Sequence, residues 1–306
     1  MNYQSAGGQA PIYRANNRLR FITAAALFDG HDAAINIMRR ILQASGAEVI
    51  HLGHNRSVEE VVTAAIQEDV QGIAITSYQG GHVEYLKYTI DLLRERGRPE
   101  IRVFAGGGGV IVPDEIRELH AHGVTRIYSP RDGAVLGLQG MINDVLERSD
   151  FSTTIDTPVA AIDIVEALQS RDRSALARVL TVLEERCAGA EAITAIHEAA
   201  LQKKTPVLGV TGTGGAGKST LSDELIRRFR LDYEDRLDIA VISIDPSRRR
   251  TGGALLGDRI RMNAINTPRI YMRSLATRDT GSEISAALPD GIAAGKRSGV
   301  DPLSRE

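Results

Sequence analysis

The sequence has little of three things that mark particular classes of protein: cysteine, net charge and long apolar runs. Its single cysteine, Cys187, has no second cysteine with which to form a disulfide within the chain, as is typical of a reducing compartment. The formal net charge of -2 provides no excess of lysine and arginine for binding nucleic acid or anionic lipid. No apolar run approaches the ~20 residues of a membrane span, and the start lacks a signal-peptide core. We therefore expect a cytoplasmic protein that binds small ligands, with no nucleic-acid or membrane partner.

The pattern of apolar residues predicts two α/β parts joined by helices. Between residues 20 and 150, five short apolar runs alternate with amphipathic stretches, which predicts a flavodoxin-like domain with a five-stranded parallel sheet. Residues 151–204 have apolar positions at helical spacing and predict a helical linker. Residues 205–306 open with a predicted strand, TPVLGV, and predict a partial P-loop NTPase α/β domain. Residues 1–19 form an N-terminal extension.

The segment GTGGAGKS, from Gly212 to Ser219, matches the pattern of a phosphate-binding P-loop. It lies between the predicted strand and an amphipathic helix, which is the context that the motif requires. Its glycines let backbone amides converge on phosphate oxygens, its lysine supplies a cation, and its serine offers a hydroxyl to magnesium. The alternative is a flexible glycine turn beside a solvated lysine. The predicted nucleotide-binding residues are Gly212, Gly214, Gly215, Ala216, Gly217, Lys218, Ser219 and Thr220.

Two aspartates downstream of the P-loop are candidates for the magnesium site, together with Ser219. Asp245 ends an apolar predicted strand, and Asp258 follows thirteen residues later, after a glycine-rich segment. Either carboxylate could reach the metal. On spacing alone, a turn or N-cap role for Asp245 and a solvated helix-start charge for Asp258 are equally good interpretations.

Three unusual loops follow the first, third and fourth predicted strands: DGHDAA at 29–34, TSYQGGH at 76–82 and AGGGGV at 105–110. Because ligands of open α/β sheets bind outside the carboxyl ends of the strands, these loops predict one binding site. The two aspartates of the first loop disfavour a flavin phosphate. The absence of the aspartate and lysine of a phospho-receiver disfavours that function as well. The glycine pairs leave room for a large planar ligand against the backbone.

Within the first of these loops, Asp29 and His31 predict a metal ligand. A carboxylate two residues before a histidine can fix its tautomer and raise its basicity as a ligand. One histidine without companion ligands is wrong for protein-held zinc, but it suits a metal whose other ligands come from a macrocycle. The alternative is a helix cap beside an exposed histidine.

These residues resemble the base-off, histidine-on family of cobalamin-binding domains, over about residues 20–150. The resemblance implies that His31 coordinates cobalt, that Asp29 hydrogen-bonds it, and that the serine and glycines enclose the dimethylbenzimidazole tail. Two positions depart from the family pattern, since Ala34 replaces a glycine and Gln79 replaces a leucine. The implied cobalamin-binding residues are Asp29, Gly30, His31, Ser77, Tyr78, Gly80, Gly81, Gly106 and Gly107.

The order of cobalamin domain, helical linker and P-loop resembles the N-terminal part of the fused isobutyryl-CoA mutase family, whose GTPase acts as an internal chaperone. The resemblance implies adenosylcobalamin and GTP or GDP with magnesium as ligands, and an acyl-CoA mutase barrel as partner, in trans or in a longer chain. No acyl-CoA barrel and no guanine-reading N-K-x-D loop follow Ser219, so we expect an incomplete GTPase domain and no isomerisation by this chain alone. The alternatives are a cobalamin carrier or a stand-alone P-loop GTPase chaperone, and a homodimer is possible.

Overall fold

In the computed structural model, which describes residues 10–154, 161–248, 250–278 and 284–299, the first half of the chain forms a parallel sheet. Its first five strands are β1 (Arg20–Ala26), β2 (Glu48–Arg56), β3 (Gly72–Thr76), β4 (Arg102–Gly106) and β5 (Arg126–Tyr128). The helices that follow them are α1 (Ala33–Ala44), α2 (Val58–Gln67), α3 (His82–Glu95), α4 (Pro113–His122) and α5 (Pro130–Arg148). All five strands and all five helices predicted for this half are confirmed.

The sheet has a sixth strand, which the sequence analysis did not predict. The strand order is β5-β4-β3-β1-β2-β7, where β7 (Ala254–Leu256) belongs to the second half of the chain. It pairs parallel with the start of β2, so that Ala254 lies opposite Glu48. The prediction of five strands therefore holds for residues 20–150, while the complete sheet includes a segment of the predicted P-loop domain.

Apolar clusters on both faces of the sheet hold its helices in place. One cluster packs α2, α3 and α4 against Ile22, Ile50 and Ile73, and a second packs α1 and α5 against Phe21 and Phe104. Successive residues of a strand face opposite sides, so neighbouring residues 21 and 22 enter different clusters. With helices on both faces, the carboxyl ends of the strands are left for a ligand.

The predicted linker contains three helices, α6 (Ala161–Gln169), α7 (Arg173–Glu184) and α8 (Ala190–Leu201), which confirm the helical prediction. They share an apolar cluster with α10 (Leu288–Arg297) from the end of the chain. Along the chain between α8 and α10 come α9 (Lys218–Asp232), β6 (Ile239–Asp245), strand β7, the 3₁₀ turn Arg259–Arg261 and β8 (Ile270–Ala276). Strands β6 and β8 form a separate parallel pair. None of the helices in the described part of the chain is long and apolar enough to cross a membrane.

The prediction of a strand before the P-loop is wrong. Residues 205–210 have no regular secondary structure, and the side chains of Val207 and Leu208 are 55% and 69% exposed. A cleft of about 2130 Å³ lies between this segment and β6, and no strand in the described part of the chain pairs with the segment. Parts of three predicted regions lie outside the described residues: 1–9 of the extension, 155–160 of the linker, and 249, 279–283 and 300–306 of the P-loop domain.

Buried ion pairs join the sheet, the helical part and the P-loop part. Arg20 at the start of β1 contacts Glu48 at 2.7 Å, Glu68 at 3.2 Å and Glu184 of α7 at 3.1 Å. Glu68 also contacts Arg259 of the 3₁₀ turn at 3.2 Å. Because unpaired charges are costly to bury, this network fixes how the three parts pack on one another.

His51 of β2 gives the fold a predicted dependence on acid pH. Its side chain is buried and its Nδ1 lies 2.9 Å from the Thr23 hydroxyl, and burial lowers its pKa to about 4. In the unfolded chain the imidazole takes up a proton near pH ~6.5, so the unfolded state binds more protons below that pH. Stability should therefore fall as the pH drops from about 6.5 to 4, by up to about 3 kcal/mol from this residue.

The measurement is urea unfolding at several pH values in this window, on wild type, His51→Gln and His54→Gln. Glutamine does not titrate, so we expect His51→Gln to lose this part of the pH dependence. His54 is exposed on the same strand, so the His54→Gln variant should keep the pH dependence of the wild type. An unchanged slope in His51→Gln would contradict the assignment.

Candidate functional site

The loop after β1 presents a histidine that is oriented by a buried carboxylate. Asp29 Oδ1 accepts hydrogen bonds from the His31 backbone amide and ring Nδ1, both at 2.9 Å. Its Oδ2 accepts from the Tyr78 amide at 2.5 Å, across the sheet edge. One carboxylate therefore holds the first and second predicted loops together.

Asp29 is held as a carboxylate in spite of its burial. Burial opposes ionisation, but the hydrogen bonds from His31 and Tyr78 outweigh it and lower the pKa below its ordinary value. Because Nδ1 of His31 is engaged by Asp29, its Nε2 is the nitrogen with a lone pair available to a ligand. The imidazole is 76% exposed and its ring centroid lies 5.5 Å from that of Tyr78. The pair can thus offer one oriented nitrogen to a metal held by other groups.

An apolar cavity lies at the ends of β3 and β4, and one of its walls is Tyr78, whose ring is next to that of His31. Its volume is about 200 Å³, and its walls come from α1, α5 and residues 74–76, 78 and 104–108. Thr76 lines this cavity and Ser77 follows it in the chain, and the hydroxyls of both are buried without a hydrogen-bond partner among the described residues. A buried hydroxyl without a partner is costly, so two such groups indicate a ligand with polar atoms.

Two glycines of the third loop, Gly107 and Gly108, are required by close packing. A Cβ at Gly107 would lie 2.3 Å from the Ser77 carbonyl oxygen, and one at Gly108 would lie 2.4 Å from the Tyr78 ring. Gly108 also has φ of +56°, a region that favours glycine. The glycine run therefore lets the second and third loops touch. Gly108 was not among the predicted site residues, although it belongs to the same run.

The other predicted glycines border open space or flexible groups. A Cβ at Gly30 or Gly80 would meet no heavy atom within 4 Å, and one at Gly81 would meet only the Gln79 side chain at 3.1 Å. At Gly106 the nearest atom, the Tyr128 carbonyl oxygen, is 3.6 Å away. These positions leave room beside His31 without being sterically forced.

The two departures from the family pattern have different surroundings. Ala34 at the start of α1 lines the apolar cavity. Gln79 instead folds back on its own loop, where Oε1 accepts from the Gly81 amide at 2.6 Å and its carbonyl lies 2.9 Å from His82 Nδ1. His82 is buried and its Nε2 contacts Glu115 at 2.9 Å, so this histidine supports the loop.

The P-loop residues form a turn that opens α9. Gly215 and Gly217 have φ of +79° and +84°, which explains why glycine is needed there. Lys218 begins the helix, and its ammonium donates to the carbonyls of Gly212 and Thr213 at 2.7 and 2.9 Å. The helix amino terminus and the lysine supply positive charge to the cleft, whose walls also include Gly214, Ser219 and Thr220. Ala216 donates its amide back to Thr213 at 3.3 Å and closes the turn.

Both predicted magnesium carboxylates lie at this cleft. The Ser219 hydroxyl donates to Asp258 Oδ1 at 2.9 Å, and the Gly257 amide donates to Asp245 Oδ2 at 3.1 Å. Burial, and secondly the charge of Asp258, raise the pKa of Asp245 to about 6. A cation between the two carboxylates would relieve this repulsion. Among the described residues no group of three or more His, Cys, Asp or Glu could hold a metal, so other oxygens would have to complete such a site.

Several residues that shape the histidine site were not predicted from the sequence. The cavity walls formed by Met38, Phe104 and Tyr128 carry no motif, and only their places in the predicted elements could have indicated them. Asn55 at the end of β2 was also missed, although its Oδ1 accepts from the Phe28 amide at 2.8 Å, directly before Asp29. Its positive φ of +55° is common for asparagine but leaves no sequence signal.

Comparison with known proteins identifies two conserved domain types in the chain. The family profile "B12 binding domain" matches residues 19–136, and the profile "Methylmalonyl Co-A mutase-associated GTPase MeaB" matches residues 176–302. The first match covers strands β1 to β5 of the sheet and the Asp29–His31 pair. The second starts in α7, inside the predicted linker, and includes the P-loop and β7.

Similar proteins include two called fused isobutyryl-CoA mutase. The one from Cupriavidus metallidurans is 68% identical over 93% of this chain, and the one from Geobacillus kaustophilus is 60% identical over 95%. The chain spans only 26% and 27% of the length of these two relatives. It also covers 92% of the 2-hydroxyisobutanoyl-CoA mutase small subunit of Aquincola tertiaricarbonis, at 32% identity over 40% of this chain.

Proposed function

Because the chain belongs to the fused isobutyryl-CoA mutase family, with its B12-binding and MeaB-type GTPase regions, we propose that it binds adenosylcobalamin through His31 and a magnesium-bound guanine nucleotide through its P-loop. In this proposal it is the cofactor-binding part of an acyl-CoA mutase. The observation that carries it is the exposed imidazole of His31, oriented by Asp29, near an apolar cavity that Thr76 lines with a buried, unpaired hydroxyl.

The residues at the sheet edge fit cobalamin held base-off and histidine-on. His31 would be the lower ligand of cobalt, and Asp29 would keep its tautomer and raise its basicity. The displaced dimethylbenzimidazole, an apolar bicycle with a polar ring nitrogen, suits an apolar cavity of about 200 Å³ that is lined by Thr76. The Thr76 hydroxyl would gain a partner from the tail.

Bound adenosylcobalamin would supply the radical for a carbon-skeleton rearrangement of an acyl-CoA. The contribution of this chain would be to hold the cofactor from the histidine side. Asp29 stays ionised, His31 would present one nitrogen to the metal, and Gly107 lets the second and third loops pack together. The acyl-CoA substrate requires a barrel that this chain does not contain, either in a longer chain or in trans. A second copy of the chain, in a homodimer, would be a further partner.

The test is a visible-absorption titration of the purified chain with adenosylcobalamin. We expect the spectrum of a base-off, histidine-ligated cofactor, saturating with one cofactor per chain. An unchanged spectrum of the free cofactor would contradict the proposal. Adding a separate acyl-CoA mutase barrel then separates two roles, because restored isomerase activity supports the mutase proposal, whereas cofactor binding without activity favours a cobalamin carrier.

Lys218→Ala is expected to weaken binding of GDP with magnesium by at least about tenfold, since a charge-assisted contact to phosphate is worth ~1.5–3 kcal/mol. The measurement is isothermal titration calorimetry with magnesium present. The matched control is Lys204→Ala, a change of the same type at an exposed lysine before the P-loop segment. If both variants weakened GDP binding equally, the effect would come from the loss of one positive charge and not from a contact made by Lys218.

A further inference from the structure

The backbone amide that holds the Asp29 carboxylate belongs to the second loop, residues 76–82. It is the amide of Tyr78, and it donates to Asp29 Oδ2 at 2.5 Å. One residue earlier, the Ser77 amide donates to the Gly106 carbonyl at 3.0 Å, which fixes the loop to the end of β4. After Tyr78 the loop is held by side chains, so their contacts decide how firmly this amide is directed at Asp29.

The side chains of His82 and Gln79 make these contacts. The His82 ring Nδ1 lies 2.9 Å from the Gln79 carbonyl oxygen, and because a carbonyl can only accept, this nitrogen donates. The Gln79 side chain folds back on the same loop, and its Oε1 accepts from the Gly81 amide at 2.6 Å. A leucine at position 79 could not accept this second hydrogen bond. The loop directly after Tyr78 is thus held at two points.

The other ring nitrogen of His82 connects the second loop to the end of the third. His82 is 3% exposed, and its Nε2 lies 2.9 Å from Oε2 of Glu115 in α4. The same oxygen accepts from the amide of Val112, the residue before α4, at 2.9 Å. This amide, and secondly the His82 hydrogen bond, lower the pKa of Glu115, so the side chain is a carboxylate to which Nε2 donates. Both nitrogens of a buried imidazole are therefore held by acceptors.

We propose that His82 is a positioning residue for the Asp29–His31 pair, and that it acts through the Tyr78 amide. The inference rests on the proposed function. His82 fixes the loop directly after Tyr78, as the bond to β4 fixes it directly before. The amide between these two anchors keeps its direction toward Asp29, which in turn orients the imidazole of His31. A metal ligand whose carboxylate partner is fixed binds more tightly than one whose partner is loose.

The first experiment needs no cofactor. Amide hydrogen exchange, followed by NMR on the full chain, measures the protection of the Tyr78 amide in wild type and in His82→Ala. We expect this amide to exchange about tenfold faster in the variant, because the hydrogen bond to Asp29 opens more often. The matched control is His120→Ala, since His120 Nε2 also accepts a backbone hydrogen bond, from Ile127 at 3.1 Å. That variant should leave exchange at Tyr78 unchanged.

The second experiment is a visible titration with adenosylcobalamin. We expect His82→Ala to bind about tenfold more weakly, and His120→Ala to stay within about twofold of wild type. Glu115→Gln keeps an oxygen for the Val112 amide but removes the charge that faces His82. Because the two residues act as one unit, the double variant should lose no more affinity than His82→Ala alone. His82→Gln keeps one donor and should lose less, and it replaces His82→Ala if that variant does not fold.

The two experiments separate this inference from the proposed function. Wild-type exchange at Tyr78 in the His82 variant overturns the inference, as does wild-type affinity for adenosylcobalamin. Equal loss of affinity in His82→Ala and His120→Ala also overturns it, because the effect would then be one of general stability. A wild type that binds no cobalamin contradicts the proposed function, and the exchange rates alone then decide whether His82 positions the Asp29–His31 pair.

Discussion

His31→Ala is expected to abolish histidine ligation of cobalamin while leaving the fold intact. The imidazole is 76% exposed and its hydrogen bonds are to Asp29 alone, so the substitution removes a ligand without opening a cavity. Alanine has no nitrogen to offer, so the substitution leaves cobalt without its proposed lower ligand. The visible spectrum should change to that of a base-off cofactor with water below cobalt, or to that of the free cofactor.

Two variants make this result interpretable. His54→Ala removes an exposed histidine from the neighbouring strand end and should leave the spectrum unchanged. Asp29→Ala keeps the ligand but removes the carboxylate that orients it, so affinity should fall by about 10–100-fold rather than vanish. If His31→Ala retained the wild-type spectrum, the assignment of the lower ligand would be wrong.

The sheet and the Asp29–His31 pair could be predicted because both follow from local pattern. Five βα repeats imply a parallel sheet, and a parallel sheet brings the loops after β1, β3 and β4 to one edge. The hydrogen bond from His31 to Asp29 requires only two residues of separation. Its partner on the other side, the Tyr78 amide, was predicted as a site residue only through the family resemblance.

The parts that were missed depend on pairing between distant segments. Strand β7 has only three residues in a glycine-rich stretch, and it is recognisable as a strand only because β2 lies beside it. Conversely, TPVLGV has a strand-like composition but no neighbour in the described residues, so the ladder does not form. Strand propensity describes how well side chains suit a sheet, and the sheet itself must come from elsewhere in the chain.

Glu68 is the residue on which the packing of the three parts should depend most strongly. Its carboxylate is fully buried and contacts Arg20 of β1 and Arg259 of the 3₁₀ turn, both at 3.2 Å. It also accepts from the backbone amide and hydroxyl of Ser274 in β8, at 3.1 Å each. One side chain therefore satisfies groups from both sheets.

Glu68→Ala is expected to lower the free energy of unfolding by about 3–5 kcal/mol, because it leaves two buried guanidinium groups without this partner. The measurement is urea unfolding followed by circular dichroism. Glu59→Ala is the matched control, in the helix that ends just before Glu68, since Glu59 is 53% exposed and pairs with Arg96 at the surface. That change should cost no more than about 1 kcal/mol. Similar losses in both variants would contradict a special role for the buried network. A second, earlier unfolding transition in Glu68→Ala alone would mean that β8 separates from the six-stranded sheet first, as expected if Glu68 is the link between them.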